Sequence, residues 1–414
     1  MTAPPPAAWT RGRTAIVGVG QTALQRASEQ SVLELALEAS LAALAEAGID
    51  PAEVDGLLRF AAPFETVSHA TMARNLGVRE LAFFGEVPLG GEATAGMIHH
   101  AVAALLTGRA EVVLAYRAIK QSGGNRFGRA DQALHGGAPA DEDVPAPDGL
   151  QFTWPYWMMA PAHLFALWAT RYMAEAEIDV TALHAALGRV AVDQRAYAAG
   201  HSGAMLGHKP LDADGFAAAR MISWPLSLFT ICLENDGACA VVLTTAERAR
   251  RLGVPAAPVL ATSQSLAPDH EPMSMYASDL MEIFPRGRAQ RLWQDAGVTP
   301  TDVTVAELYD ASSLMTLLSL ELYGFVERGH AWRHVTEHGI GPDSPLPINT
   351  HGGHLADGYV QGMTGLVEAV RQLRGDADNQ VDDVDVSFYG GVSGGAVVLG
   401  SPEVAARVAE EAPR

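Results

Sequence analysis

A stretch near the N-terminus returns, altered but aligned, in the second half of the chain. Ala45-Glu-Ala-Gly-Ile-Asp-Pro-Ala-Glu-Val54 is matched by Gln294-Asp-Ala-Gly-Val-Thr-Pro-Thr-Asp-Val303. Each closes a helical pattern on a glycine and leads into an apolar run. A second pair follows: Gly96 to Gly108 around Ala101-Val-Ala-Ala-Leu105 is echoed by Gly365 to Gly375 around Ala369-Val-Arg-Gln-Leu373. Helix-turn-strand units recurring at a separation of about 250 residues imply a duplicated α/β fold. The halves are expected at 13–250 and 251–414, layered α-β-α-β-α, with 121–225 an insert in the first.

Local signals agree with alternating helices and strands. Thr14 to Val19 reads as a buried strand, and Ser31 with Glu34 as a capping box opening a helix. Leu33, Leu37, Leu41 and Leu44 then recur at helical spacing up to Gly48. Glu111–Ala115 and Ala240–Leu243 read as core strands, and Pro161–Ala174 and Thr181–Ala199 as helices. Residues 121–149 lack apolar periodicity, as expected of a functional cover, a subunit contact or disorder.

Charge and composition narrow the function. The chain carries 48 acids against 28 bases, a net charge of −20. Such a surface repels phosphate backbones, so nucleic acid is not an expected partner. No apolar run is long enough to span a bilayer and the first residues lack a signal-peptide core, so a cytoplasmic protein with no membrane partner is expected. Lys120 and Lys209 are the only lysines, which leaves two candidates for Schiff-base chemistry. Cys232 and Cys239 are too few for a disulfide framework or a cysteine-based zinc site.

Four segments can carry chemistry. Gly18-Val-Gly20-Gln-Thr-Ala23 has the spacing of a dinucleotide loop, but the helix signal comes only near Ser31, so a strand-end turn is expected. Asn349-Thr-His-Gly-Gly-His-Leu-Ala-Asp-Gly-Tyr359-Val-Gln-Gly362 is glycine-rich, with Gly352 and Gly353 able to bring backbone close to a ligand. Its His351 and His354 are candidate metal ligands without a third partner in view; for His354 an ordinary loop histidine is preferred. Glu307-Leu-Tyr309-Asp310-Ala-Ser-Ser313 joins an apolar strand to a helix, a place where α/β proteins set reactive groups. A core tyrosine and an N-cap aspartate would explain it equally. Ser387 to Leu399 reads as two strands around Gly390, Gly391, Gly394 and Gly395, a pocket floor or a close-packing device. Trp154, Trp157, Met158 and Met159 suit an apolar pocket wall or a subunit interface.

The last three chemical segments, Asn235-Asp-Gly-Ala238 and the duplication resemble the thiolase superfamily, nearest its sterol-carrier or lipid-transfer-protein branch. The resemblance covers essentially the whole chain. A thiolase needs a nucleophilic cysteine ahead of the helix corresponding to Met97–Leu106; family spacing puts Gly91 there. The family's activating histidine falls on Tyr359, the Asn or His of its other segment on Tyr309, and its second cysteine close to Phe388 or Tyr389. Thiolase-like aldolases of steroid side-chain degradation have this pattern, a glycine for the nucleophile and a tyrosine pair in the emptied site.

The resemblance therefore implies retro-aldol cleavage of a β-hydroxyacyl-CoA without a covalent intermediate. Tyr359 is expected as base on the β-hydroxyl and Tyr309 as proton relay or donor, roles that can be exchanged, with Asp310 orienting. Backbone amides near Gly394 and Gly395, with Asn349 or His351 nearby, are expected to hold the enolate. No bound cofactor or metal is expected, only the CoA thioester as substrate. The family implies a homodimer and a small OB-fold, zinc-ribbon partner. Other readings remain: a non-catalytic acyl-CoA-binding subunit, an acyltransferase using Ser312 or Ser313, and a metal-dependent aldolase through His351 and His354.

Overall fold

Helices that end on left-handed glycines and feed buried strands organise this chain. The structure, a computed structural model, describes residues 8–61, 67–88, 92–123, 154–158, 160–265, 280, 286–392 and 394–411. Gly91, most of the 121–149 stretch and Met159 lie outside the described residues. The Ser31–Glu34 capping box forms, and helix Val32–Ala47 stops at Gly48 with φ of 65°. Its buried face is Leu35, Ala36, Ala39, Ala43, Leu44 and Ala47. The leucine spacing reads a different stripe: Leu41 is 46% exposed. At Ala39 and Ala43 the strand beneath approaches the helix backbone too closely for a larger side chain.

That strand is β1 (Thr14–Gln21), and it corrects the reading of Gly18 and Gly20. They lie inside the strand and not at its end. A Cβ on Gly18 would sit 2.1 Å from the Ala43 carbonyl, and one on Gly20 2.1 Å from that of Ala39. The Gly-x-Gly spacing brings helix and strand into backbone contact and leaves no room there for a pyrophosphate.

The remaining strands are β2 (Gly56–Ala61), β3 (Phe83–Pro88), β4 (Val112–Lys120), β5 (Met221–Ser223), β6 (Leu226–Ser227), β7 (Asp236–Thr245), β8 (Ala257–Ser263), β9 (Val305–Leu308), β10 (Val386–Gly390) and β11 (Ala396–Gly400). β5 and β6 form a small ribbon of their own, and the others one sheet in the order β3-β2-β4-β7-β1-β8-β11-β10-β9. Outward from the β1–β8 seam, the two directions carry the same plan. β7 is antiparallel to β1 and β4, which continues in parallel to β2 and β3. β11 is antiparallel to β8 and β10, which continues in parallel to β9. A parallel bridge between Ala306 and Ile348 stands where β3 stands in the first series.

Helices Glu92–Leu106 and Met363–Arg374 occupy equivalent places and each packs on strands of both series. They form the middle layer. Helices such as Val32–Ala47 and Pro402–Glu410 cover the outer faces, giving the layered α-β-α-β-α architecture. Strand alternation produces the two faces: Val112, Leu114 and Tyr116 of β4 join the outer core, while Val113, Ala115 and Ile119 face the middle helices. Helices Pro161–Glu175 and Val180–Gly200 from the insert lie across the second half, the latter beside Gly353–Ala356. Trp157 is 71% exposed, so within one chain it is not part of a buried pocket wall.

Candidate active site

The end of β9 and the glycine-rich turn after Asn349 bring Tyr309 and Tyr359 together. Their hydroxyl oxygens are 3.0 Å apart in a buried hydrogen bond. Tyr309 is fixed by its N–H donating to Gly390 O at 2.9 Å, which ties it to the end of β10. Tyr359 is fixed by Asn235, which accepts its N–H at 2.6 Å and donates to its carbonyl at 3.2 Å.

His354 wedges between the two phenols and corrects the loop-histidine reading. Its ring meets Tyr309 edge-on at 5.1 Å and Tyr359 at 5.2 Å between centroids. Gly362 N–H donates to Nε2 at 3.2 Å and Asp310 N–H to Nδ1 at 3.4 Å, while Nδ1 also lies 2.9 Å from Asp310 Oδ1. The Asp310 carboxylate also accepts the His354 backbone N–H at 3.0 Å and Gln194 Nε2 at 2.8 Å. Asp310 is therefore not the helix N-cap; Ser312 is, with its Oγ accepting the Leu314 N–H. Burial opposes ionisation of Asp310, but the ring and backbone N–H of His354 outweigh it and hold the carboxyl below its usual range.

Burial pushes the Tyr359 hydroxyl up, and the nearby Cys232 thiol adds to the rise. Contacts with Tyr309, Arg117 and Gln361 act in the opposite direction. Burial also raises both thiols, Cys232 and Cys239, which keeps them protonated and unreactive. Lys120 caps the carbonyls of Ser28 and Gln30, with its ammonium 2.6 Å from the former, and so is committed to the chain itself.

The other expected site residues take different places. Asn349 adopts φ of 56° and its Oδ1 accepts the Leu308 N–H at 2.7 Å, so it braces the end of β9. His351 lies on the far side of that strand end, with Nδ1 2.9 Å from Glu307 Oε2. Burial pushes the imidazole down to about 4 and the Glu307 carboxyl well up, so it disfavours the charged form of both. Gly352 and Gly353 face helix Val180–Gly200: a Cβ on Gly352 would meet Ala198 at 2.8 Å, and one on Gly353 the Asp310 Oδ2 at 2.4 Å. Gly394 donates its N–H to Gly391 O at 3.1 Å, while its carbonyl accepts Ser263 Oγ at 2.6 Å.

Sequence reading alone missed Gln194, Arg117 and Gln361. Arg117 did leave a signal, a cation in the otherwise apolar first part of β4 (Val-Val-Leu-Ala-Tyr-Arg-Ala-Ile). Gln194, inside a long helix, left none. Ser312 and Ser313 gain no base from His354, because both of its ring nitrogens are engaged. Among the described residues no group of three or more His, Cys, Asp or Glu side chains is arranged to hold a metal ion, and no helix is long and apolar enough to cross a membrane.

The family described as Thiolase C-terminal domain-like matches residues 268–399. The chain is 39% identical over 394 residues to the 17-hydroxy-3-oxo-4-pregnene-20-carboxyl-CoA lyase of Mycobacterium tuberculosis, covering 94% of this chain and 99% of that protein. It is 38% identical over 399 residues to the steroid side-chain-cleaving aldolase of Thermomonospora curvata, covering 94% and 98%. Among solved structures, the Ltp2-ChsH2(DUF35) aldolase superposes with a TM-score of 0.84 at 35% identity, over 95% of this chain and 98% of that one. Human mitochondrial 3-ketoacyl-CoA thiolase, at 15% identity and a TM-score of 0.65 over 95% and 100% of the two chains, shares the fold. The chain belongs to the thiolase superfamily, in its sterol-carrier-protein-like branch beside the steroid side-chain-cleaving aldolases, and is a carbon–carbon lyase and not an ordinary thiolase.

Proposed function

We propose that the chain cleaves a β-hydroxyacyl-CoA by a retro-aldol reaction in which Tyr359 and Tyr309 move the protons. The observation that carries this reading is the buried contact of 3.0 Å between the two hydroxyls. Tyr359, its own proton released to solvent beforehand so that it enters as the phenolate of the pair, removes the β-hydroxyl proton. The Cα–Cβ bond breaks, its electron pair passes into the thioester as an enolate, and the ketone or aldehyde is released. Tyr309 protonates Cα to give the shorter acyl-CoA, and the two hydroxyls then re-share the proton across their hydrogen bond. Asp310 acts through His354, whose ring keeps the phenols at their separation.

The enolate is assigned to the backbone of the Gly394–Gly395 turn; with Gly394 N–H committed to Gly391, the amide in question is Gly395. Gly91, which family spacing sets at the nucleophile's position and which lies outside the described residues, is assigned only its missing side chain as room for substrate. The acyl group is of the bulky, steroid-like or aromatic kind, as the names of the relatives support. A homodimer, a partner of the type seen in the Ltp2-ChsH2(DUF35) complex, cytoplasmic placement and the division at 250/251 belong to the same proposal.

The test incubates the protein, alone and with a DUF35-type partner, with steroidal and aromatic α-methyl-β-hydroxyacyl-CoA thioesters and follows products by mass spectrometry. A shortened acyl-CoA and a carbonyl product are expected, falling roughly 100-fold or more in Tyr359→Phe and Tyr309→Phe. Intact thioester in every arm would leave an acyl-CoA-binding subunit. Cleavage that survives both substitutions would retain the reaction and overturn the site.

A further inference from the structure

Arg117 is a buried cation on β4, and the proposed chemistry gives it no task. Its guanidinium lies 4.7 Å from the centre of the Phe60 ring, and its Nε donates to Gln361 Oε1 at 2.6 Å. Arginine is a donor only, so this contact fixes which end of the Gln361 amide faces it. The carbonyl oxygen faces Arg117, and the NH2 group is left for the other neighbour. That neighbour is Tyr359, whose hydroxyl is in a hydrogen-bonding contact with the Gln361 side chain.

Gln361 is held in place at some cost. Its φ is 49°, a left-handed conformation that glutamine seldom adopts. The Thr94 hydroxyl, from the middle-layer helix Glu92–Leu106, donates to its carbonyl at 2.8 Å. Two elements of the first half thus converge on one residue of the second, Thr94 on its backbone carbonyl and Arg117 on its side-chain amide, and Arg117 sets the amide's orientation.

We propose that Arg117, acting through Gln361, makes Tyr359 and not Tyr309 the hydroxyl that gives up its proton, a proposal that rests on the retro-aldol reading above. A donor aimed at the Tyr359 oxygen stabilises phenolate there, and Tyr309 then donates along the shared hydrogen bond. This settles the direction of proton movement, which two tyrosines alone leave symmetric. Arg117 and Gln361 are assigned as positioning residues that act through the Tyr359 hydroxyl. The other groups facing the Tyr359 ring or hydroxyl are Tyr309 after β9, His354 with its Asp310 and Cys232 of the 231–235 segment. None of these distinguishes an oriented amide from a reversed one.

The test places difluorotyrosine, an acidified phenol, at position 359 or at position 309 of the full chain and titrates each by fluorine NMR without substrate. Arg117→Met removes the orienting cation. Gln361→Asn tolerates positive φ but falls a methylene short of both contacts, which keeps the test available should the arginine variant not fold. In either variant the midpoint at 359 is expected to rise by about one pH unit or more, tenfold in phenolate fraction, with a smaller movement at 309. An unmoved midpoint at 359, or an equal shift at 309, overturns the proposal. In turnover, the rising limb of the kcat–pH profile shifts in the same direction while KM changes little. Absence of cleavage by the unsubstituted protein would fail the retro-aldol reading, whereas the titration reports on the relay regardless.

Discussion

Asn235 holds the backbone of Tyr359 from both sides, accepting its N–H at 2.6 Å and donating to its C=O at 3.2 Å. One amide therefore satisfies two buried backbone groups that have left regular secondary structure. Asn235→Ala would strand both, at a cost of roughly 2–4 kcal/mol. Denaturant unfolding should show that loss, and cleavage should fall with it, because the phenol loses its anchor. An unfolding midpoint equal to that of the unsubstituted protein would show that the clamp contributes nothing.

Gly353 has φ of 61°, and an added Cβ would lie 2.4 Å from Asp310 Oδ2 and 2.6 Å from Gln194 Nε2. Gly353→Ala is expected to push the carboxylate off Gln194 and turn His354 away from the phenols. We expect about 1–3 kcal/mol of destabilisation and a kcat reduced at least about tenfold, an expected penalty for misplaced proton-transfer groups. Full activity in a destabilised variant would separate Asp310 from catalysis.

The buried His351 beside Glu307 gives stability a definite acid limb. Burial holds His351 at about 4 when folded, against an unfolded value near ~6.5. Between those values the unfolded chain binds more protons, so the cost is absent above pH ~6.5 and grows as pH falls toward 4. Glu307, raised by burial, has the opposite slope, losing stability as pH rises from its ordinary value toward its folded one. His351→Asn should therefore recover stability on the acid side, by up to roughly 3 kcal/mol near pH 4, and little at pH 7.5. Urea unfolding at several pH values tests this, and an equal effect at every pH would remove the imidazole as the titrating group.

Gly20→Ala is expected to be among the most damaging single-methyl additions in the chain. The new Cβ would overlap the Ala39 carbonyl and force helix Val32–Ala47 off β1. Expression yield and thermal unfolding should both fall sharply, and no nicotinamide dinucleotide should restore them. Stabilisation by such a cofactor would revive the ligand-loop reading of this segment.

The architecture was legible because duplication leaves paired marks. The turns at Gly48 and Gly297 and the glycines closing both middle helices needed only the chain itself. The tyrosines were legible because they interrupt an otherwise recognisable thiolase pattern. His354 was not, since the same histidine in a solvated loop would have the same sequence neighbours; only the fold closes Tyr309, Asp310 and Gly362 around it. Gln194 was hidden for a similar reason, 116 positions from the carboxylate it binds, on a helix whose pattern is complete without it. The exposure of Leu41 was not legible, because leucine spacing marks a helix but not the approach distance beneath it, which Gly18 and Gly20 decide.

Both phenols come after β8, yet Asn235, Gln194, Arg117 and Thr94, which aim them directly or through a neighbour, come before it. The paired hydroxyls of one half thus depend for their placement on side chains of the other, although the strand plan of the two is still the same. A substitution in one copy is felt as misalignment in the other.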